Sequence, residues 1–368
     1  MPIVLVNLPV DAVQSISAFV TSKRYTSLEE FVLLAITNQL TYEKGTGSGL
    51  SNDANPNLHD HNTSQGRTET TQAVSVRSLH NGLYVARSHP DVAVLECPLP
   101  KDELLWGQYY RFLPLKVVLR LLENTSTNAW PELHAFHEIV AKRVQELGGK
   151  LRALDEIGLQ SRDGVKLSVG FPNARKPEKS TSRYIEQYVG TVNRQHVPYG
   201  FGPTIGFIGI QTATNECYIG LTEAGRQFAT TPNPVLDHDD YSASLGPDEV
   251  HFLIHHICNQ IPAEKRHIGA TLTAIAEGHD TPDELDQILG QQYRGWFPAQ
   301  TWSSKKITAM RSGVLSRLRE MGIVRPKRKG IRVRYDLDND WNEVAAPCLN
   351  KMDDLGPKAQ DYRRELPP

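Results

Sequence analysis

The sequence predicts a mainly α-helical fold with small β-hairpins, distributed over more than one domain. Three observations carry this reading. Apolar residues recur at helical spacing over long stretches, short apolar runs come in pairs around a turn, and 368 residues exceed what one small core needs. The content of 39% hydrophobic and 22% charged residues fits an ordinary globular protein. No run reaches the ~18 uninterrupted apolar residues of a membrane span. The opening MPIVLVNLPVDAV lacks the basic segment and cleavage site of a secretory signal, so a cytoplasmic protein without a membrane partner is expected. Cys97, Cys217, Cys258 and Cys348 are scattered without a C-x-x-C pair, so free thiols are expected, with neither a disulfide framework nor a cysteine zinc site. A formal net charge of -2 excludes a globally basic coat, so a nucleic-acid footprint would have to come from local clustering of cations.

The first element is a short apolar run, Ile3 to Leu8, followed by Val13, Ile16, Phe19 and Val20 at helical spacing. Ser27-Leu28-Glu29-Glu30 has the capping-box form and leads into Phe31, Val32, Ala35, Ile36 and Leu40, a second helix. One strand and two helices in so few residues cannot bury their own apolar faces, so residues 1–43 are expected to pair with a second copy, giving a homodimer. The stretch LPVDAVQSISAFVTSKRYTSLEEFVLLAITNQL resembles ribbon-helix-helix proteins. That resemblance implies a paired strand in the major groove, yet Ile3 and Leu5 would face outward with only Asn7 able to meet a base edge. A dimerisation unit and a DNA-reading ribbon both remain open. Residues 44–98, rich in Gly, Ser, Asn, Thr and His, are expected to form a flexible linker, in which His59, Asp60 and His61 are too mobile to organise a metal.

Residues 99–236 form a first globular unit. Phe112 to Leu122 predicts a helix, and Leu133, Phe136, Ile139, Val140, Val144 and Leu147 predict a longer one ending at Gly148-Gly149. A third is expected from Ser180 to about Arg194. Ile205–Ile210 and Cys217–Leu221 then flank a turn, the arrangement of a hairpin. The phrase LTEAGRQFA resembles the strand-to-helix exit that follows the wing in winged-helix regulators.

Residues 245–342 repeat this order. A helix from Asp248 is expected to run on past Pro262 to Ile275. Thr281-Pro282-Asp283-Glu284 is a helix start, with Thr281 as cap and Pro282 at the first helical position. A third helix spans about Lys306 to Met321 and stops at Gly322. Ile323–Arg325 and Ile331–Tyr335 then flank a basic turn. The segment SGVLSRLREMGIVRPKRKGIRVRYDL resembles the recognition-helix-to-wing segment of the winged-helix superfamily, which implies duplex DNA as partner. Residues 343–368 are expected to be a flexible tail.

Charge segregates sharply here. Between Lys305 and Tyr335 stand Lys305, Lys306, Arg311, Arg317, Arg319, Arg325, Lys327, Arg328, Lys329, Arg332 and Arg334 against the single acid Glu320. A merely solvated face usually mixes both signs. The expected DNA-binding set is Lys305, Lys306, Arg311, Ser312, Arg317, Arg325, Lys327, Arg328, Lys329, Arg332 and Arg334, with arginines on guanine edges and wing cations on phosphates. The first unit, with Lys176, Lys179, Arg183, Arg194 and an uncharged hairpin tip, is expected to pack or to bind a protein partner.

Enzymatic readings find little support. His251 and His255 have metal-ligand spacing, but Phe252 occupies the place of the H-E-x-x-H glutamate. Asp155, Glu156, Asp163 and Lys166 resemble nuclease clusters only loosely. Neither phosphate-binding glycine loops nor a G-x-S-x-G motif occurs, so no enzyme and no cofactor are expected. The sequence therefore points to a dimeric DNA-binding transcriptional regulator, with a DNA-bound accessory subunit of a plasmid-partition or anti-phage defence system as the alternative.

Overall fold

Helix α1, Leu113–Thr125, is apolar around almost its whole circumference, and a helix of that kind belongs inside a core rather than on its surface. Its two cations are buried with it. Lys116 pairs with Glu249 at 2.8 Å and donates to the Thr231 carbonyl at 2.7 Å. Burial pushes the Lys116 ammonium down to about 8 while Glu249 opposes the fall. Arg120 makes a bidentate pair with Asp237 at 2.6 and 2.7 Å and also donates to the Ala229 and Thr231 carbonyls. The computed structural model describes residues 92–97 and 99 and, with short gaps at 127–128, 158–165, 174–175, 214–215 and 330–331, residues 103–349. The expected pairing unit, residues 1–43, lies outside the described residues, as do most of the expected linker and residues 350–368.

Around α1 the first unit is assembled from α2, Leu133–Glu156, and α3, Pro177–Tyr184, which runs into a π-helical turn at Ile185–Val189. The two-residue strands β1, Thr191–Val192, and β2, Pro198–Tyr199, pair next, followed by the short helix α4, Phe201–Thr204. The antiparallel hairpin β3, Ile208–Ala213, and β4, Glu216–Leu221, completes the order read from the sequence. Helix α2 does not stop at Gly148-Gly149 as expected. A Cβ on Gly148 would meet the Phe171 Cβ at 3.1 Å and the Pro172 carbonyl at 3.3 Å, so the glycine serves a close packing contact, not a helix end. Two short helices follow, α5, Glu223–Thr230, capped by the Thr222 hydroxyl, and α6, Pro234–Asp237.

In the second unit the helix expected to run through Pro262 is two helices, α7, Pro247–Gln260, and α8, Pro262–Ala276, because proline removes an N–H and clashes with the preceding turn. Helix α9, Pro282–Trp296, starts with the expected Thr281/Glu284 capping box, and α10, Ser304–Glu320, is capped by the Ser303 hydroxyl. Gly322, at φ 75°, turns the chain into the hairpin β5, Val324–Lys329, and β6, Arg332–Leu337. The two units share one further feature. The residue entering α2 in the first and α9 in the second binds the second hairpin strand: Ile219 N–H donates to the Pro131 carbonyl at 3.0 Å, and Tyr335 N–H donates to the Asp280 carbonyl at 2.8 Å.

Both units contribute to one continuous apolar core, which runs from Leu105 and Phe112 through Phe207 and Leu253 to Leu318 and Cys348. Two boundaries shift accordingly. Residues 92–97 are not linker: Leu95 is buried and its N–H donates to the Leu221 carbonyl at 2.9 Å. The expected tail begins with an ordered helix, α11, Trp341–Leu349, with Ala345 and Cys348 buried against the core. That packing corrects the thiol expectation as well. Cys258 on α7 and Cys348 on α11 form a disulfide, with Cα atoms 5.6 Å apart across 90 residues of sequence, while Cys97 and Cys217 are free. Among the described residues no helix is long and apolar enough to cross a membrane.

Candidate nucleic-acid interface

Helix α10 divides its cations between the core and the surface. Ile307, Met310, Val314, Leu315 and Leu318 are buried, which turns Lys305, Thr308, Ala309, Ser312, Ser316 and Arg319 outward. At 100° per residue those six fall within a stripe about 100° wide. Small side chains fill its middle and a cation stands near each end, a shape that lets a helix lie close to a groove.

Two residues expected on this surface are elsewhere. Arg317 is 1% exposed; its guanidinium pairs with Glu264 and donates to the Tyr109 carbonyl at 2.6 Å. Glu264 also accepts from the Leu105 N–H at 3.1 Å and lies 3.4 Å from His267, whose other ring nitrogen is 2.6 Å from the Tyr293 hydroxyl. Burial alone would push the Glu264 carboxyl up, but Arg317 and His267 outweigh it and hold the group at about 2. Arg317 is therefore a core cation and cannot reach DNA. Arg311, 7% exposed, pairs with Asp286 of α9 at 2.7 Å, and Thr308 donates to the same carboxylate at 2.7 Å. The expected base contact from Arg311 gives way to a bond that fixes α10 against α9. Lys306 is half-buried, with its ammonium 4.2 Å from the Trp302 ring centroid and bonded to Gln300 at 3.0 Å.

One strip of chain ties α10 to the first unit. Gly107 lies so close to α10 that a Cβ there would meet the Ala309 carbonyl oxygen at 2.1 Å, and a Cβ on Gly313 would meet the Gly107 Cα at 2.6 Å. Farther along, Gln187 of the first unit donates to the Gln108 carbonyl, and Glu320 accepts from the Leu113 N–H at 3.1 Å and pairs with Arg111 at 3.0 Å. Segment 104–113 thus runs between α10 and the π-helical turn of the first unit.

The β5–β6 hairpin has two chemically distinct faces, as alternation along a strand dictates. Val324 opposite Leu337 and Pro326 opposite Tyr335 make the inner face. Arg325 opposite Asp336 and Lys327 opposite Arg334 make the outer one, which exposed Arg332 continues. Lys327 and Arg334 set like charges directly across from each other, an arrangement that costs stability unless an anion relieves it. Acids around the hairpin relieve part of the charge: Arg325 pairs with Asp338, Lys327 with Asp336, and Arg334 with Asp280 at 3.3 Å. Lys305, Arg328 and Arg332 are exposed and make no ion pair among the described residues.

Sequence reasoning missed Thr308, Ala309 and Ser316 on the outer stripe and the three neutralising aspartates. A helical-wheel phase taken from Ile307, Met310, Val314 and Leu318 would have found the stripe. The residues weighed for catalysis are structural or dispersed. The Asp155 carboxylate accepts from the Leu167 and Ser168 N–H groups at 2.7 and 3.0 Å, while Asp163 lies outside the described residues. His251 and His255 are exposed with rings 6.5 Å apart, and no group of three or more potential ligands able to hold a metal stands among the described residues. Compared with models of protein families, with curated proteins and with solved structures, the chain matches none.

Proposed function

We propose that this chain binds duplex DNA with the outer stripe of α10 in the major groove and the outer face of the β5–β6 hairpin on the flanking phosphates, as a winged-helix module would. The observation that carries this reading is the cation cluster of the hairpin, Lys327 opposite Arg334 with exposed Arg328 and Arg332 nearby, beside a helix stripe of small polar residues. A hairpin tolerates such repulsion most readily where a polyanion completes it. The helix, helix, helix, hairpin order and the bond from Tyr335 to Asp280 support the same module. With residues 1–43 pairing two chains, a dimer offers two such surfaces to two half-sites, which suits a transcriptional regulator. Fluorescence anisotropy of a labelled random duplex should show binding that weakens steeply with salt, and footprinting on DNA upstream of the coding sequence should show a protected site. An affinity indifferent to salt would overturn the proposal.

A further inference from the structure

Beside the N-terminal end of α10 lies a cavity of about 360 Å³ lined by Leu104, Trp106, Phe297, Trp302, Lys306 and Met310. Its aromatic rings and single ammonium are joined by the polar side chains of Glu103, Gln300 and Thr301. Trp302 is 8% exposed and packs on Tyr293 with ring centroids 4.6 Å apart, yet its indole N–H is a buried donor with no hydrogen-bond partner. A buried donor left unmatched costs free energy that an acceptor on a bound group would recover. Trp106 is half exposed, so one aromatic surface is available for stacking. Lys306 stands between the indoles, 4.2 Å from the Trp302 centroid and 5.6 Å from that of Trp106. A flat heteroaromatic ring with acceptor atoms, attached to an anionic group, satisfies all three features at once. A nucleobase with its phosphate is such a molecule.

We infer that this cavity accepts an unpaired nucleotide, its base stacked on Trp106 and bonded to the Trp302 N–H, its phosphate drawn to Lys306. The inference rests on the DNA-binding reading for its preferred source. Ser303 caps α10 directly after Trp302, and Lys306 lies in the first turn of the helix proposed to enter the groove, so a nucleotide leaving a duplex on α10 has the cavity within reach. The neighbouring exposed Glu103, which also lines it, is an acceptor for an exocyclic amino group. Aromatic platforms with nearby cations are the ordinary means of holding unpaired bases, and such stacking tolerates base identity.

The full chain is titrated against a labelled perfect duplex, the same duplex carrying one extrahelical adenine, and free dAMP followed by tryptophan emission. The bulged duplex should bind about tenfold more tightly than the perfect one. Trp106→Ala should abolish that preference, Trp106→Phe should retain most of it, and both should bind the perfect duplex within about twofold of the parent. Quenching by dAMP that depends on Trp106, without binding to either duplex, supports the cavity with a free nucleotide as its ligand and removes the DNA reading. Equal affinity for the two duplexes, together with unchanged emission in dAMP, overturns the inference and leaves the duplex reading standing.

Discussion

The first and second units share a scaffold and differ in what it carries. Each sets helices before a hairpin, and each bonds the residue entering one helix, α2 or α9, to the second hairpin strand, through Pro131 and Ile219 in one and Asp280 and Tyr335 in the other. The first hairpin ends in Thr212, Ala213 and Glu216, whereas the second has cations facing cations across its outer surface. The backbone bond closes the unit in both cases, so it belongs to folding. The charge is present in one case only, so folding does not require it.

The largest effect should come from the cation that the fold took away from the surface. Arg317→Ala leaves Glu264 buried without its guanidinium, and breaking such a pair typically costs about 3–5 kcal/mol. Urea unfolding should show a loss of that order, with residual DNA affinity at low denaturant little changed. Because the folded Glu264 carboxyl is held at about 2, below its ordinary 4.5, its stabilising contribution is complete above pH 4.5 and is lost as pH falls towards 2. The gap in stability between the parent and Arg317→Ala should therefore narrow on acidification. A constant gap would mean that Glu264 is not ionised beside Arg317.

Next in size is the asymmetry between the units. Replacing Lys327, Arg328 and Lys329 with glutamine should flatten the slope of log K against log salt by up to about 3, since each phosphate contact releases condensed counterions. The matching change in the first unit, Lys179→Gln with Arg183→Gln, should leave the slope within the error of one contact. Equal flattening by both sets would make the two units equivalent on DNA.

A more local test addresses the stripe of α10. Ser312→Glu should weaken DNA binding at least about tenfold, because a carboxylate placed against phosphates costs several kcal/mol. Arg311→Ala acts through the position of α10 and should weaken specific and random duplexes alike. A loss confined to the preferred sequence would return Arg311 to the reading surface.

The smallest effect concerns the acids of the second hairpin. Asp336→Asn with Asp338→Asn releases Lys327 and Arg325 from exposed pairs that are worth about 0–1 kcal/mol each. DNA affinity should rise by no more than about fivefold at low salt, and the rise should vanish as salt screens it. A fall in affinity would show that the aspartates orient the cations instead of competing for them.

Local chemistry made several elements of this chain readable. Pro282 after Thr281, Gly322 after Met321 and the paired apolar runs around 213–216 act within a few residues, so α9, the end of α10 and the first hairpin follow from short-range rules, whereas 326–329, expected as a basic turn, extends strand β5 because it pairs with 332–335. The segregation of cations between Lys305 and Tyr335 was equally plain in the sequence. What each of those cations does was decided at long range. Arg317 became a core residue because Glu264, 53 positions earlier, meets it across the packed helices, and Arg311 because Asp286 does the same from α9. The Cys258–Cys348 bond, the core shared by both units and the approach of Gly107 to α10 likewise join residues far apart in the chain. Charge is a property of a side chain and can be counted along the sequence. Burial and pairing are properties of neighbours, and only the folded packing supplies those.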